Sequence, residues 1–255
     1  MRNTYFLALL IMPFLAAGSA PASAMASDNR VLVIGALHDL HGREPAFGYD
    51  RLRAAIVDFA PDVLVLEVRP DELAERKATP GRPEYPAVIW PLLAHMKVET
   101  VAMEPGGEDF KAITGEAGAA FETLKRRNPG GAAALSPLDP AAQDILLVYW
   151  QRAGQVQDET TAALAAGVQA AQFALAGPAF AAAQTRWENY MSGQVLHAMR
   201  SHPRGRVMVI GSHKNRAMLE RAVREAAPQR AINAQNWFER MAPAGAIAGE
   251  AQLPR

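Results

Sequence analysis

Two histidines and two glutamates close apolar runs that lie far apart in the chain. His38 follows Val31-Leu32-Val33-Ile34-Gly35-Ala36-Leu37, and His213 follows Val207-Met208-Val209-Ile210-Gly211-Ser212. Glu67 ends Val63-Leu64-Val65-Leu66, and Glu104 ends Val98–Met103. Imidazole and carboxylate together bind divalent ions or share acid–base work. His41, three residues beyond His38, is a further candidate at the rim for contacting substrate. Arg69 and Lys214 flank two of these runs and could pair with a substrate carboxylate or with nearby acids. In Arg186-Trp187-Glu188-Asn189, helical spacing puts Arg186, Asn189 and Gly193 on one face, where a guanidinium could stabilise a developing negative charge.

Bringing these residues together requires a parallel sheet. Four segments, Val31–Leu37, Val63–Val68, Val98–Met103 and Arg206–Ile210, are continuous apolar or β-branched runs without clean alternation. That is the pattern of strands covered by helices on both faces. Helical patterns separate them. Tyr49–Ala60 carries Leu52, Ile56 and Phe59 on one face, Pro70 opens a second helix with Asp71 and Glu72 in its first turn, and Val88–Met96 precedes the third strand. The expected fold class is α/β, a mainly parallel sheet flanked by helices. In such sheets ligands bind beyond the carboxyl ends of the strands, where all four candidate residues fall.

From about residue 106 to 203 no strand is evident. The stretch is rich in Ala, Gln and Leu and reads as a helical insertion before the last core strand, ending in a helix over Ala179–Ser201. Lys214–Ala226 is a further helix, and residues 241–255 form a Pro/Gly/Ala-rich tail. One α/β domain over residues 25–240 accounts for the rest.

Residues 1–24 carry the marks of an export signal: Arg2, an apolar run from Phe6 to Ala17, and a small-residue cleavage site at Ala22-Ser23-Ala24. The run falls short of the roughly 20 residues of a membrane-spanning helix, so the expectation is a cleaved leader, no stable membrane anchor, and a periplasmic or secreted protein. Lys plus Arg number 26 and Asp plus Glu 26, which argues against a nucleic-acid surface. Without cysteine there is no thiolate metal site and no cysteine nucleophile. No Gly-x-Ser-x-Gly elbow and no Gly-x-Gly-x-x-Gly loop occurs, which disfavours a serine hydrolase and a dinucleotide fold.

Taken in order, the strand ending Gly35-Ala36-Leu37-His38, the strand ending in Glu67, the helix bearing Arg186-x-x-Asn189-x-Met191 and the late strand leading to Gly211-Ser212-His213 resemble the erythromycin esterase/ChaN/Tiki/TraB (PrgY, GumN) superfamily, over about Val31 to Ala226. The resemblance implies an α/β fold with a helical insertion, catalytic or metal-ligand roles for His38, Glu67 and His213, and a substrate or transition-state role for Arg186. Glu104 matches an acidic position after the third strand. In one departure from the superfamily's Gly-x-x-His pattern, Gly211 stands only two residues before His213.

The expected function is an exported hydrolase acting on a small-molecule or peptide substrate at an ester or amide bond. With a metal, His38, Glu67 and His213 would hold one divalent ion (Mn, Fe, Co or Zn). Without one, His38 would be the general base and Glu67 its orienter. The alternative is a non-catalytic periplasmic protein binding haem or iron, with Tyr49, Tyr85 and His41 within reach of the ligand.

Overall fold

A computed structural model describes residues 29–241. The expected leader and all but the first residue of the expected tail lie outside the described residues. Five parallel strands form one sheet: β1 (Val31–Ala36), β2 (Val63–Leu66), β3 (Glu99–Ala102), β4 (Val207–Ser212) and β5 (Ala231–Ile232), in the order β3-β2-β4-β1-β5. The fold is α/β, as the strand runs imply. The fifth strand was not foreseen: at two residues, partly buried at the sheet edge, it is too short to leave a hydrophobic signature.

The helices in chain order are α1 (Tyr49–Phe59), α2 (Pro70–Glu75), α3 (Trp90–Leu93), α4 (Gly107–Arg127), α5 (Pro129–Leu135), α6 (Leu138–Tyr149), α7 (Ala153–Val156), α8 (Glu159–Ala176), α9 (Pro178–Ser201), α10 (His213–Ala226) and α11 (Ala234–Arg240). Helices α4 to α9, joined by short loops, lie between β3 and β4, and no strand interrupts them. The helix expected over Val88–Met96 lies further upstream, starting as a wide turn at Tyr85–Ile89 and ending at Leu93. Pro91 has no N–H to give, and the Ala87 carbonyl is met by Arg53 Nη2 at 3.0 Å instead.

Strand pleating sorts the core by size. Leu32, Ile34, Leu64, Leu66, Met208 and Ile210 point to one face, against Leu52, Ile56 and Phe59 of α1. Val31, Val33, Val63, Val65, Val207 and Val209 point to the other, against Met191 and Val195 of α9 and Leu219 and Val223 of α10. Both faces are apolar because both are covered.

The resemblance between the first and fourth strand sequences has a physical counterpart. β4 lies directly beside β1, with Val31 opposite Val207, Gly35 opposite Gly211 and Ala36 opposite Ser212. On its other side β4 pairs with β2, Leu66 opposite Ile210. The ends of β1, β4 and β2 therefore form one continuous edge, and His38, His213 and Glu67 leave the sheet side by side.

Candidate functional site

His38 occupies a left-handed backbone conformation with φ of 54°. A non-glycine residue there carries strain on the order of 1–3 kcal/mol, which must be met by contacts elsewhere. The contact is made by Glu84, whose carboxylate is 0% exposed and lies 2.6 Å from His38 Nδ1. Across the ring, Nε2 stands 3.9 Å from Glu67 Oε1. That gap exceeds a hydrogen bond, so the Glu67 carboxylate acts on Nε2 by its charge. The His38 side chain is 21% exposed, which gives it solvent access.

Glu67 is fixed from three sides. Its Oε2 accepts from the Ser212 N–H at 2.5 Å, its Oε1 accepts from Asn215 Nδ2 at 3.2 Å, and Arg82 Nη2 lies 3.7 Å from Oε1. Arg82 also donates to the Glu67 carbonyl at 2.5 Å and grips Glu104 with two bonds of 2.6 and 3.1 Å. Glu104 is thus half of a buried, forked ion pair that backs the site, and its carboxylate is engaged with protein.

His213 opens α10 directly after β4, with Ser212 as N-cap, its Oγ accepting from the Asn215 N–H at 3.3 Å. The ring is 5% exposed, meets Trp150 edge-on with centroids 5.6 Å apart, and leaves Nδ1 without a hydrogen-bond partner.

The surroundings drive the two imidazoles in opposite directions. Burial disfavours a charged His38 ring, but the Glu67 and Glu84 carboxylates outweigh it and raise its pKa from 6.5 to about 9. Burial together with the nearby Lys214 and His38 lowers His213 from 6.5 to about 4. Glu67 is opposed by burial yet brought down to about 2 by His38, Arg82 and the Ser212 N–H. Burial raises the Glu104 carboxyl, and Arg82 offsets this in part. At neutral pH the cluster holds an imidazolium, a carboxylate and a neutral imidazole.

Other candidate residues take different places. His41 is buried, accepting from the Leu37 N–H at 3.0 Å through Nε2 and donating from Nδ1 to the Phe47 carbonyl at 2.7 Å. It ties down the turn that carries His38 and does not line a substrate surface. Arg186, 48% exposed, pairs with Glu116 of α4, so the structure does not bring it to the histidine cluster. Helical spacing places a residue on a face; it does not say which neighbour that face meets. Asn189 is exposed on α9, and Gly193 has nothing within 4 Å of where a side chain would begin.

Three residues of the site have no strand-end signature. Arg82 and Glu84 come from Gly81-Arg82-Pro83-Glu84, a proline-rich loop whose only hint is a charged pair bracketing a proline. Gln157, between α7 and α8, donates from Nε2 to the Gly35 carbonyl at 2.9 Å and accepts from the Gly35 N–H at 2.8 Å. β5 pairs with β1 only at Val31 and Leu32, so this amide stands in for the missing strand next to His38.

The residues do not fit a metal ion as arranged. Among the described residues no group of three His, Cys, Asp or Glu side chains converges as a ligand set. Both Glu67 oxygens accept hydrogen bonds, and His38 spends Nδ1 on Glu84. Of the residues expected to reach a haem, His41 has both nitrogens engaged, Tyr85 is 1% exposed, and Tyr49 is partly buried with its ring centroid 5.4 Å from that of His41.

A cleft of about 140 Å³ opens beside the cluster, lined by His213, Lys214 and Asn215 and by one stripe each of α6 and α8. Wider, shallower grooves lie between α4 and the α8–α9 turn, of about 750 Å³, and around Arg69 and Phe110, of about 820 Å³. Of these three, the small cleft is the one lined by His213.

Comparison with known proteins returns no relative. The chain matches no family model, no curated protein and no solved structure. Among the described residues no helix is long and apolar enough to cross a membrane.

Proposed function

We propose that this protein is a hydrolase of small esters or amides that works without a metal, with His38 as general acid and His213 as general base. The observation that carries the reading is the opposed pair of imidazoles at neighbouring strand ends, one held protonated by Glu84 and Glu67 and the other held neutral by burial. Two titratable groups whose environments push their pKa values apart are the mark of an acid and a base in one site. The roles differ from those expected of the sequence, in which His38 is the base: the buried Glu84 carboxylate, invisible in the strand pattern, keeps that ring protonated.

In this reading a water adds to the substrate carbonyl carbon while its proton passes to the neutral ring of His213. His38 Nε2–H hydrogen-bonds the carbonyl oxygen as negative charge develops there, then gives its proton to the departing alkoxide or amine as the C–O or C–N bond breaks. Proton exchange with solvent restores both rings. Glu67 balances the imidazolium throughout. The superfamily resemblance and the leader-like first residues support an exported hydrolase and stand as part of the same proposal.

Hydrolysis of a panel of p-nitrophenyl esters and dipeptide amides by the purified chain, with and without prior chelation, tests this. Expected are turnover that survives chelation and its loss, by about 10²–10⁴-fold, in His38→Ala and in His213→Ala. Undiminished turnover in His38→Ala, or turnover abolished by chelation and restored by a divalent ion, would overturn it.

A further inference from the structure

The cleft next to His213 is built from charged and amide groups over an apolar floor. Lys214 Nζ and Asp139 Oδ1 meet at 2.8 Å, joining the first turn of α10 to α6. Gln172 of α8 donates to the other Asp139 oxygen at 3.3 Å. The amides of Gln143 and Gln184, from α6 and α9, line the same space and make no hydrogen bond among the described residues. The ring of His213, 5% exposed, borders the same space. Ala142, Leu146, Ala165 and Val168 complete the floor.

We infer that this cleft is a binding site for a small aliphatic α-amino acid with its ammonium and carboxylate both free. The Lys214–Asp139 pair is partly exposed, with side-chain exposures of 42% and 37%, and such a pair contributes little to stability. A zwitterion can exchange with it at no loss of charge pairing: its ammonium goes to Asp139 and its carboxylate to Lys214. The first turn of α10 adds the positive end of a helix dipole beside the carboxylate. Gln143 and Gln184 offer donors and acceptors that the protein itself does not use. The apolar floor suits a short hydrocarbon side chain. The volume of about 140 Å³ is well below the roughly 300–1,000 Å³ of sites for drug-sized ligands, which limits the occupant to a single residue. A neutral sugar of similar size would satisfy the amides but bring no charge to replace the ion pair.

The inference rests on the cleft and not on the hydrolase reading. Titrating the purified full chain with L-alanine tests it by calorimetry and by the fluorescence of Trp150, which lies edge-on to His213. N-acetyl-L-alanine, L-alaninamide and D-glucose serve as comparison ligands. L-Alanine is expected to bind about tenfold or more tightly than either blocked form, since each lacks one charge-assisted contact. Asp139→Asn is expected to abolish the preference over N-acetyl-L-alanine, and Lys214→Met the preference over L-alaninamide. Both side chains are surface-accessible, and circular dichroism checks that the variants fold. A parent chain that binds L-alanine but hydrolyses none of the esters and amides upholds the site and removes only the hydrolase. Equal binding of the blocked forms, binding of glucose alone, or no response at millimolar L-alanine would overturn the inference.

Discussion

Gly35 and Gly211 face each other across β1 and β4, and each is empty of a side chain because a site residue needs the space. A Cβ on Gly35 would come within 2.8 Å of the His213 Cα, and one on Gly211 within 2.8 Å of Leu219 Cδ1 and 3.0 Å of Glu67 Oε2. The Gly–Gly pair lets the start of α10 and the Glu67 carboxylate close over the ends of their strands.

Gly35→Ala and Gly211→Ala are expected to destabilise by about 1–3 kcal/mol each through overpacking. Gly193→Ala, in an uncrowded helical position, is expected to stabilise by about 0.5–1 kcal/mol. Urea unfolding of the three variants checks the contrast. A neutral Gly35→Ala would mean that His213 does not sit against β1.

The two histidines set opposite pH dependences. His38 keeps its proton in the fold up to about pH 9 but only to about 6.5 when unfolded. Its contribution is full below 6.5 and is lost as pH rises through 9. His213 binds a proton near 6.5 when unfolded but only near 4 in the fold, so it penalises the fold as pH falls from 6.5 towards 4. Thermal unfolding should peak near pH 6.5, with a flatter alkaline limb in His38→Gln and a flatter acid limb in His213→Asn. Parallel profiles in parent and variants would refute the opposed charge states.

The same values bound activity. Turnover in the proposed hydrolase should rise through about pH 4, where His213 becomes free to accept a proton, and fall through about pH 9, where His38 loses the proton it donates. Glu84→Gln removes one of the carboxylates that hold that proton and should move the alkaline limb to lower pH. A pH–rate profile of the two proteins gives the answer, and an unmoved alkaline limb speaks against Glu84 as the partner of His38.

Arg82 and Arg186 should behave very differently. Arg82→Met leaves Glu104 buried without its forked partner and takes one of the positive charges from beside Glu67, a cost of about 3–5 kcal/mol. Arg186→Ala removes an exposed pair with Glu116 and should cost less than about 1 kcal/mol, with turnover unchanged. Denaturant midpoints and turnover measured together would separate them. A catalytic defect in Arg186→Ala would restore the role that its helix face first suggested.

Gln157→Leu should leave the Gly35 N–H and carbonyl without partners, costing about 1–3 kcal/mol for each orphaned group. Hydrogen exchange at the Gly35 amide is the direct readout, and unchanged protection would mean that another group closes the strand end.

The amino-acid sequence by itself determined the sheet, its four main strands, the helical nature of the insertion and the edge that bears His38, Glu67, Glu104 and His213. These follow from local chemistry: β-branched runs, glycine stops and helical spacing act over a few residues and need no partner to be recognised. Tertiary structure alone decided what those residues became. The strand order put β4 between β1 and β2 and so brought His213 beside His38 and Glu67. The loop with Arg82 and Glu84, and the distant Gln157, completed the cluster through contacts separated by 15 to 122 residues. Charge state was decided last, because a pKa depends on burial and on the distance to charges that the chain brings together only when folded. Arg186 and His41 carry the same lesson in reverse: each has a suitable side chain, Arg186 is spent on Glu116, 70 residues away, and His41 on the backbone of the turn that carries it.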